Sequence, residues 1–386
     1  MSKWVKRDGR RNNGLWNAAL SGLAALCWTL LAGCPSSPST SMDSPDLAIP
    51  SVFDGSSPPP SDLATPPPTP AMTNPSDTLY VGDIFDDTVK LYDANTGQYI
   101  RTLFASGSGG LKGPMGLLIE KTGKELWVVN QNINLPKNGA ILRYQLSSGT
   151  FLGALVADTA TGSPYAPRGM VLSPAGQLIV ADNGELTPPP PGRLPHYNTS
   201  TGAFIADLDK TGFTPPFLPR GVVVGPDGLL YVSVIDGIGQ NGYVVRFDLG
   251  TKKYKDTFIT ATAATSYAGG LHKPEGIVFG PDGRLYITSA RYLNGDTSRI
   301  MIYDSAGKYV DRIDLDDAAA SQNYAQAMVF GPGGRLFVGM SIAGEVRAYD
   351  PLSKGYISLV KPGGTLSQPW YLIFGRTDPS TLAYTP

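Results

Sequence analysis

At 386 residues the chain is long enough for more than one domain, and its 41% apolar content lies in the globular range. A charged fraction of only 16%, alongside 46 glycines and 34 prolines, favours an all-β protein with many tight connections over a helical one. The net charge of −1 and the lack of a lysine and arginine run argue against a nucleic-acid partner.

The first 33 residues read as a targeting segment, in which Lys3, Lys6, Arg7, Arg10 and Arg11 precede an apolar run that stops at Cys34. Its end, Leu31-Ala32-Gly33-Cys34, resembles the lipobox of bacterial lipoproteins. That resemblance implies cleavage before Cys34 and a lipid on its sulfur. An ordinary secretory signal or an uncleaved anchor are the alternatives, and Asn17 and Ser21 weaken the anchor. Cleavage removes five positive charges and one negative, which shifts the net charge from −1 to −5. The other cysteine, Cys27, lies inside the removed run, so the folded part is expected to hold neither a disulfide nor a cysteine-bound metal.

Residues 34–76 are rich in proline, serine and threonine, with Pro58 to Pro60 and Pro66 to Pro68 in runs. Such a segment buries too little apolar surface to fold and is expected to act as a disordered tether. At roughly 3 Å per residue in polyproline form it would reach up to about 100 Å.

From residue 77 to 386 a pattern returns. Leu79-Tyr80-Val81, Leu126-Trp127-Val128, Leu178-Ile179-Val180, Leu230-Tyr231-Val232, Leu285-Tyr286-Ile287 and Leu336-Phe337-Val338 begin 47, 52, 52, 55 and 51 residues apart. That period belongs to propellers. An apolar strand headed by Pro-x-Gly accompanies the copies: Pro114-Met115-Gly116, Pro167-Arg168-Gly169, Pro219-Arg220-Gly221, Pro274-Glu275-Gly276, the degenerate Ala325-Gln326-Ala327, and Pro369-Trp370-Tyr371. A turn such as Gly280-Pro281-Asp282-Gly283 joins these two strands, with proline presetting φ and glycine free to take a positive one. A third strand ends in an aromatic residue and a turn-forming polar one, as in Tyr92-Asp93 and Tyr303-Asp304, and a fourth is more polar.

The spacing therefore predicts a six-bladed β-propeller of four-stranded blades over 77–386. The first copy lacks a Pro-x-Gly partner before Leu79, and the last such strand, Pro369 to Phe374, has no successor. The C-terminal strand is expected to pair beside Leu79 and close the ring, leaving no open edge.

These strings resemble the NHL-repeat propellers and the related gluconolactonase and regucalcin-like superfamily, over nearly all of 77–386. The resemblance is specific for fold and unspecific for activity.

Alternation of strand direction puts the loops entering each first strand and those between second and third strands on one face. That face carries the long loops 131–140, 182–192, 233–242 and 289–298, where binding usually lives. It also carries the middle residue of each Pro-x-Gly slot, at the mouth of the channel: Met115, Arg168, Arg220, Glu275, Gln326 and Trp370. In the enzymes of the resembled superfamily these positions supply carboxylate and amide ligands to a divalent metal. Glu275 keeps that chemistry, whereas Arg168 and Arg220 cannot ligate a cation, so neither metal nor cofactor is expected. Two accounts of the ring stand open. Arg168 and Arg220 could hold an anion with Trp370 and Met115 against its apolar part, or Arg220 and Glu275 could simply pair across adjacent blades.

Asp83, Asn130, Asp182 and Asp236, near the ends of second strands, form either an acidic calcium-binding rim or a set of turn caps. His196 and His272, the only histidines, are too few for the three-histidine zinc site of NHL-type peptide-amidating lyases. The expected protein is a monomeric, extracytoplasmic lipoprotein anchored in a membrane through Cys34, whose propeller binds a protein, peptide, glycan or small anion. The alternative is a lactonase-like hydrolase or lyase with Glu275 as acid or base and the arginines holding an anionic substrate.

Overall fold

The computed structural model describes residues 77–184, 191–237, 241–260, 270–290, 297–315 and 324–386. The expected signal segment 1–33, the lipidated Cys34 and the tether 34–76 lie outside the described residues.

Every described strand falls into one of six four-stranded antiparallel sheets, the blades of a propeller. Five blades are continuous in sequence. The first takes its innermost strand, Pro369–Phe374, from the far end of the chain, where it pairs with Thr78–Asp83 and sets Phe374 opposite Leu79. Blades two to six have as innermost strands Pro114–Ile119, Pro167–Leu172, Leu218–Val224, Pro274–Phe279 and Ala325–Phe330. The ring is thus closed by the C-terminal strand, as the unmatched ends of the repeat require. No helix among the described residues is long and apolar enough to cross a membrane.

Burial explains the strand grammar. The second strands are covered on both faces, so they are apolar at consecutive positions. Their aromatic residue reaches the next blade: Tyr231 packs edge-on against Phe279 at 5.0 Å, Tyr286 against Phe330 at 5.1 Å, and Phe337 against Phe374 at 4.7 Å. The residues that end the third strands, Tyr92, Tyr144, Tyr197, Phe247, Tyr303 and Tyr349, are each at most 2% exposed. The polar residues after them fold the following turn, with Asp248 Oδ1 accepting from the amides of Gly250 and Thr251. Outer strands such as Phe204–Asp207 alternate between half-buried and exposed positions.

The Pro-Asp-Gly turns do more than reverse the chain. Asp282 accepts from the Arg284 amide at 3.1 Å and from the Tyr286 hydroxyl at 2.9 Å, and Asp227 does the same for Leu229 and Tyr231. In blade six the aspartate is Gly333 and the tyrosine is Phe337, so acceptor and hydroxyl are missing together. A tyrosine hydroxyl buried there without the aspartate would lack its partner.

The tail crosses the turn side of the channel. Beyond Phe374 the chain returns across the turn side, where the carbonyls of Pro379 and Ser380 accept from the amides of Leu172 and Val224 at the ends of two innermost strands. Leu382, only 6% exposed, then forms part of the channel floor.

One buried histidine gives the fold a pH dependence. His196, in the third strand of blade three (Pro195–Tyr197), is 1% exposed, with Lys252 Nζ 3.2 Å from its Nε2. Burial, and then the Lys252 ammonium, lower its pKa below the usual 6.5, with Asp207 opposing. The unfolded chain therefore takes up the proton first on acidification. This stability contribution is fully present above the unfolded pKa and is lost as pH falls through the folded one. Urea midpoints measured between neutral pH and pH ~5 should fall further for the native chain than for His196→Gln, and parallel falls would acquit His196.

Candidate functional site at the channel mouth

In every blade the pairing between first and second strands slips at the Pro-x-Gly slot. Pro167 faces Asp182 and Met170 faces Val180, so the first strand carries one residue more than its partner between these points, and the other blades repeat the slip. A bulge of this kind re-aims a side chain, and here it turns the middle residue into the channel. The glycine has a packing reason. A Cβ at Gly116 would stand 2.6 Å from the Arg168 carbonyl oxygen, and one at Gly221 would collide with that of Glu275. The slots of blades two to five are thus stacked glycine against the carbonyl of the next blade.

All six sequence-predicted residues, Met115, Arg168, Arg220, Glu275, Gln326 and Trp370, line one cavity, whose core encloses about 30 Å³. Glu275, 7% exposed, is the best buttressed. Thr288 Oγ1 accepts from the amides of Glu275 and Gly276 at 3.2 and 2.9 Å, and Ser233 Oγ donates to the Glu275 carbonyl at 2.8 Å. The matching second-strand positions of blades two and three are Val129 and Ala181, which offer no hydroxyl.

The Glu275 carboxylate is already engaged. Arg220 Nη1 lies 3.1 Å from its Oε1, and the Tyr324 hydroxyl donates to the same oxygen at 3.2 Å. Burial, then Glu275, raise the Tyr324 pKa, so it remains a neutral donor. Arg168 has no carboxylate in range among the described residues. Its Nη1 contacts Met115 Sδ at 3.8 Å and its guanidinium sits 5.9 Å from the centre of a Trp370 ring. Burial, then Arg220, push its pKa down to about 10, which still leaves it cationic at neutral pH. Lys273, just before the innermost strand of blade five, is lowered by burial and then by Arg220. The mouth therefore sets two arginines around one carboxylate.

Several atoms there lack partners. Gln326 is 5% exposed, and among the described residues its amide nitrogen and oxygen are both buried without a hydrogen bond, as are Nε of Arg168 and of Arg220.

Tyr324 and Leu382 were not legible as site residues. Tyr324 precedes the degenerate Ala325-Gln326-Ala327, and its carbonyl is fixed by Ser341 Oγ at 2.6 Å. An aromatic residue immediately before a first strand was the available signal. Leu382 comes from the tail, which no repeat contains.

The acidic rim resolves into loop caps. Asp83 accepts from the amides of Ser367 and Gln368, Asn130 from that of Lys112, and Asp182 from those of Tyr165 and Ala166. Each pins the loop entering a first strand, and Ser289 does so for His272 in blade five. Asp236 instead closes its own loop on Asn241. Among the described residues no group of three or more His, Cys, Asp or Glu is placed to hold a metal ion. His196 and His272 belong to blades three and five, respectively. Loop 131–140 is described throughout, whereas 185–190, 238–240 and 291–296, the centres of the other long loops, lie outside the described residues.

A family model described as "Strictosidine synthase-like, N-terminal" matches residues 262–291, a span that includes Glu275. No curated protein matches the sequence significantly. Among solved structures, a chain of a nidogen–laminin complex is similar with a TM-score of 0.56 at 15% identity, over 79% of this chain and 100% of that one. The periplasmic gluconolactonase of Pseudomonas aeruginosa is similar with a TM-score of 0.52 at 17% identity, over 78% and 99%. At these identities the likeness is one of fold. Together with the six blades, the matches show a six-bladed β-propeller fold.

The divalent metal implied by that resemblance does not fit the residues present. Only Glu275 among the six slot residues is a carboxylate, Arg220 occupies it, and Arg168 and Lys273 would repel a cation.

Proposed function

We propose that this protein is a noncatalytic binding module, a propeller tethered outside the cytoplasm through a lipid on Cys34, which recognises its ligand or partner at the channel mouth and long-loop face. One observation carries this reading: the only slot carboxylate is engaged at Oε1 by Arg220 and Tyr324, while Arg168 stands beside it without an acidic partner among the described residues. A general acid or base needs a free proton position facing the substrate. Both contacts to Glu275 fall on Oε1, so an arginine and a hydroxyl already compete with any substrate for this carboxylate. A surplus of buried positive charge suits recognition of an anion instead. That a chain of similar fold occurs in a nidogen–laminin complex accords with an interaction role.

Two assays test the reading. The full chain should open glucono-δ-lactone no faster than its Glu275→Gln variant, and turnover lost in that variant would overturn the noncatalytic assignment. Expressed in a bacterium, the chain should fractionate with membranes and Cys34→Ser should move to the soluble extracytoplasmic fraction. A Cys34→Ser protein that stays membrane-bound would refute the lipid tether.

A further inference from the structure

We propose that the channel mouth is a carboxylate site: it takes the carboxylate end of a small monocarboxylic acid between Arg168 and Gln326, with the acid's apolar body against Trp370. The proposal rests on the binding reading above and names its ligand class.

The first ground is unmet hydrogen bonding. Gln326 is nineteen-twentieths buried and neither amide atom has a partner among the described residues, while Arg168 meets only the Met115 thioether at 3.8 Å and the Trp370 ring at 5.9 Å. Buried polar groups are normally paired, and each one left unmade costs about 1–3 kcal/mol. Water could serve the neutral amide, but it brings no charge to balance Arg168. A carboxylate supplies the charge and accepts from a guanidinium edge and from the amide nitrogen at once, leaving the amide oxygen to a water donor.

Charge and size narrow the ligand. Among the lining residues Arg168 and Arg220 outnumber Glu275, so the field at the mouth selects an anion. The burial that lowers the Arg168 pKa is the condition an anion would relieve. The enclosed core of about 30 Å³ holds roughly two water-sized groups, the size of two carboxylate oxygens. Leu382 lines the cavity from the turn side, so the body that follows the carboxylate is placed toward the mouth. Trp370, half-buried and 6.5 Å from Tyr324 between ring centres, provides an aromatic wall there.

Titration calorimetry of the full chain with 3-phenylpropionate should show one site per chain. The uncharged 3-phenylpropanamide should bind at least tenfold more weakly. Arg168→Met should lose at least tenfold in affinity for the acid, Arg168→Lys less, and Gln326→Leu severalfold, each variant first shown to melt cooperatively. Inorganic phosphate should give no comparable binding. Equal binding of acid and amide, an unchanged Arg168→Met, or phosphate binding in place of the acid would each overturn the carboxylate assignment. None of these outcomes touches the noncatalytic reading, which falls only on lactone turnover.

Discussion

Ending the chain at Gly364 is expected to abolish cooperative folding of the propeller, although it removes only the last strand and the tail. That strand is the innermost of the first blade, and it supplies Leu372, Ile373 and Phe374, none more than 2% exposed. Without it Thr78–Asp83 becomes an open edge, and Phe337 loses the ring that packs on it at 4.7 Å. The channel floor goes too, because the tail that bonds Leu172 and Val224 follows Phe374. A ring has no free end at which a missing strand could be tolerated. The milder Phe374→Ala, which deletes a fully buried side chain touching Phe337 and Tyr384, should cost about 3–5 kcal/mol. Near-ultraviolet circular dichroism and thermal melts check both. A truncated chain that melts cooperatively near the native temperature would show that closure is not what holds the ring.

Glu275→Leu is expected to destabilise the protein by about 3–5 kcal/mol, because it leaves Arg220 buried beside Arg168 with no counter-charge. The pair is well shielded, with the two side chains 15% and 8% exposed, so solvent screening reduces the cost little. The Tyr324 hydroxyl loses its acceptor in the same step. The double variant Arg220→Met with Glu275→Leu should recover most of that loss, since removing both charges restores the balance that removing one destroys. Urea denaturation of the two single variants and the double one gives the coupling energy directly. Additive losses would mean that the two side chains do not sense each other in the folded protein.

Much of this architecture was legible in the sequence because it rests on local backbone demands repeated around a ring. Pro-x-Gly marks a bulge and a close carbonyl contact, and Gly-Pro-Asp-Gly marks a hairpin, so their recurrence betrays the blade count. The unmatched ends betray the closure. Convergence of Met115, Arg168, Arg220, Glu275, Gln326 and Trp370 followed from the same logic, since equivalent positions in a ring must meet at its axis. What those side chains do to one another was legible only in part. The Arg220–Glu275 pair was one of the two accounts that adjacent slots left open, whereas the hydroxyl that joins it comes from Tyr324, outside the repeat. The lining of the cavity from the turn side depends on Leu382, in a tail whose composition announces nothing. The roles of Asp83, Asn130 and Asp182 turned on where neighbouring amides point, a tertiary fact that carboxylate spacing cannot convey.

The account stands or falls on the sign of charge that the channel mouth accepts. Calcium titrated into the full chain by calorimetry addresses it most directly, because calcium asks for the carboxylate that Arg220 and Tyr324 already hold. The expected result is no binding heat above dilution at millimolar calcium. A tight single-site isotherm that disappears in Glu275→Ala would contradict the account, since it would mean that Glu275 is available to a cation and that the surrounding arginines do not govern the site.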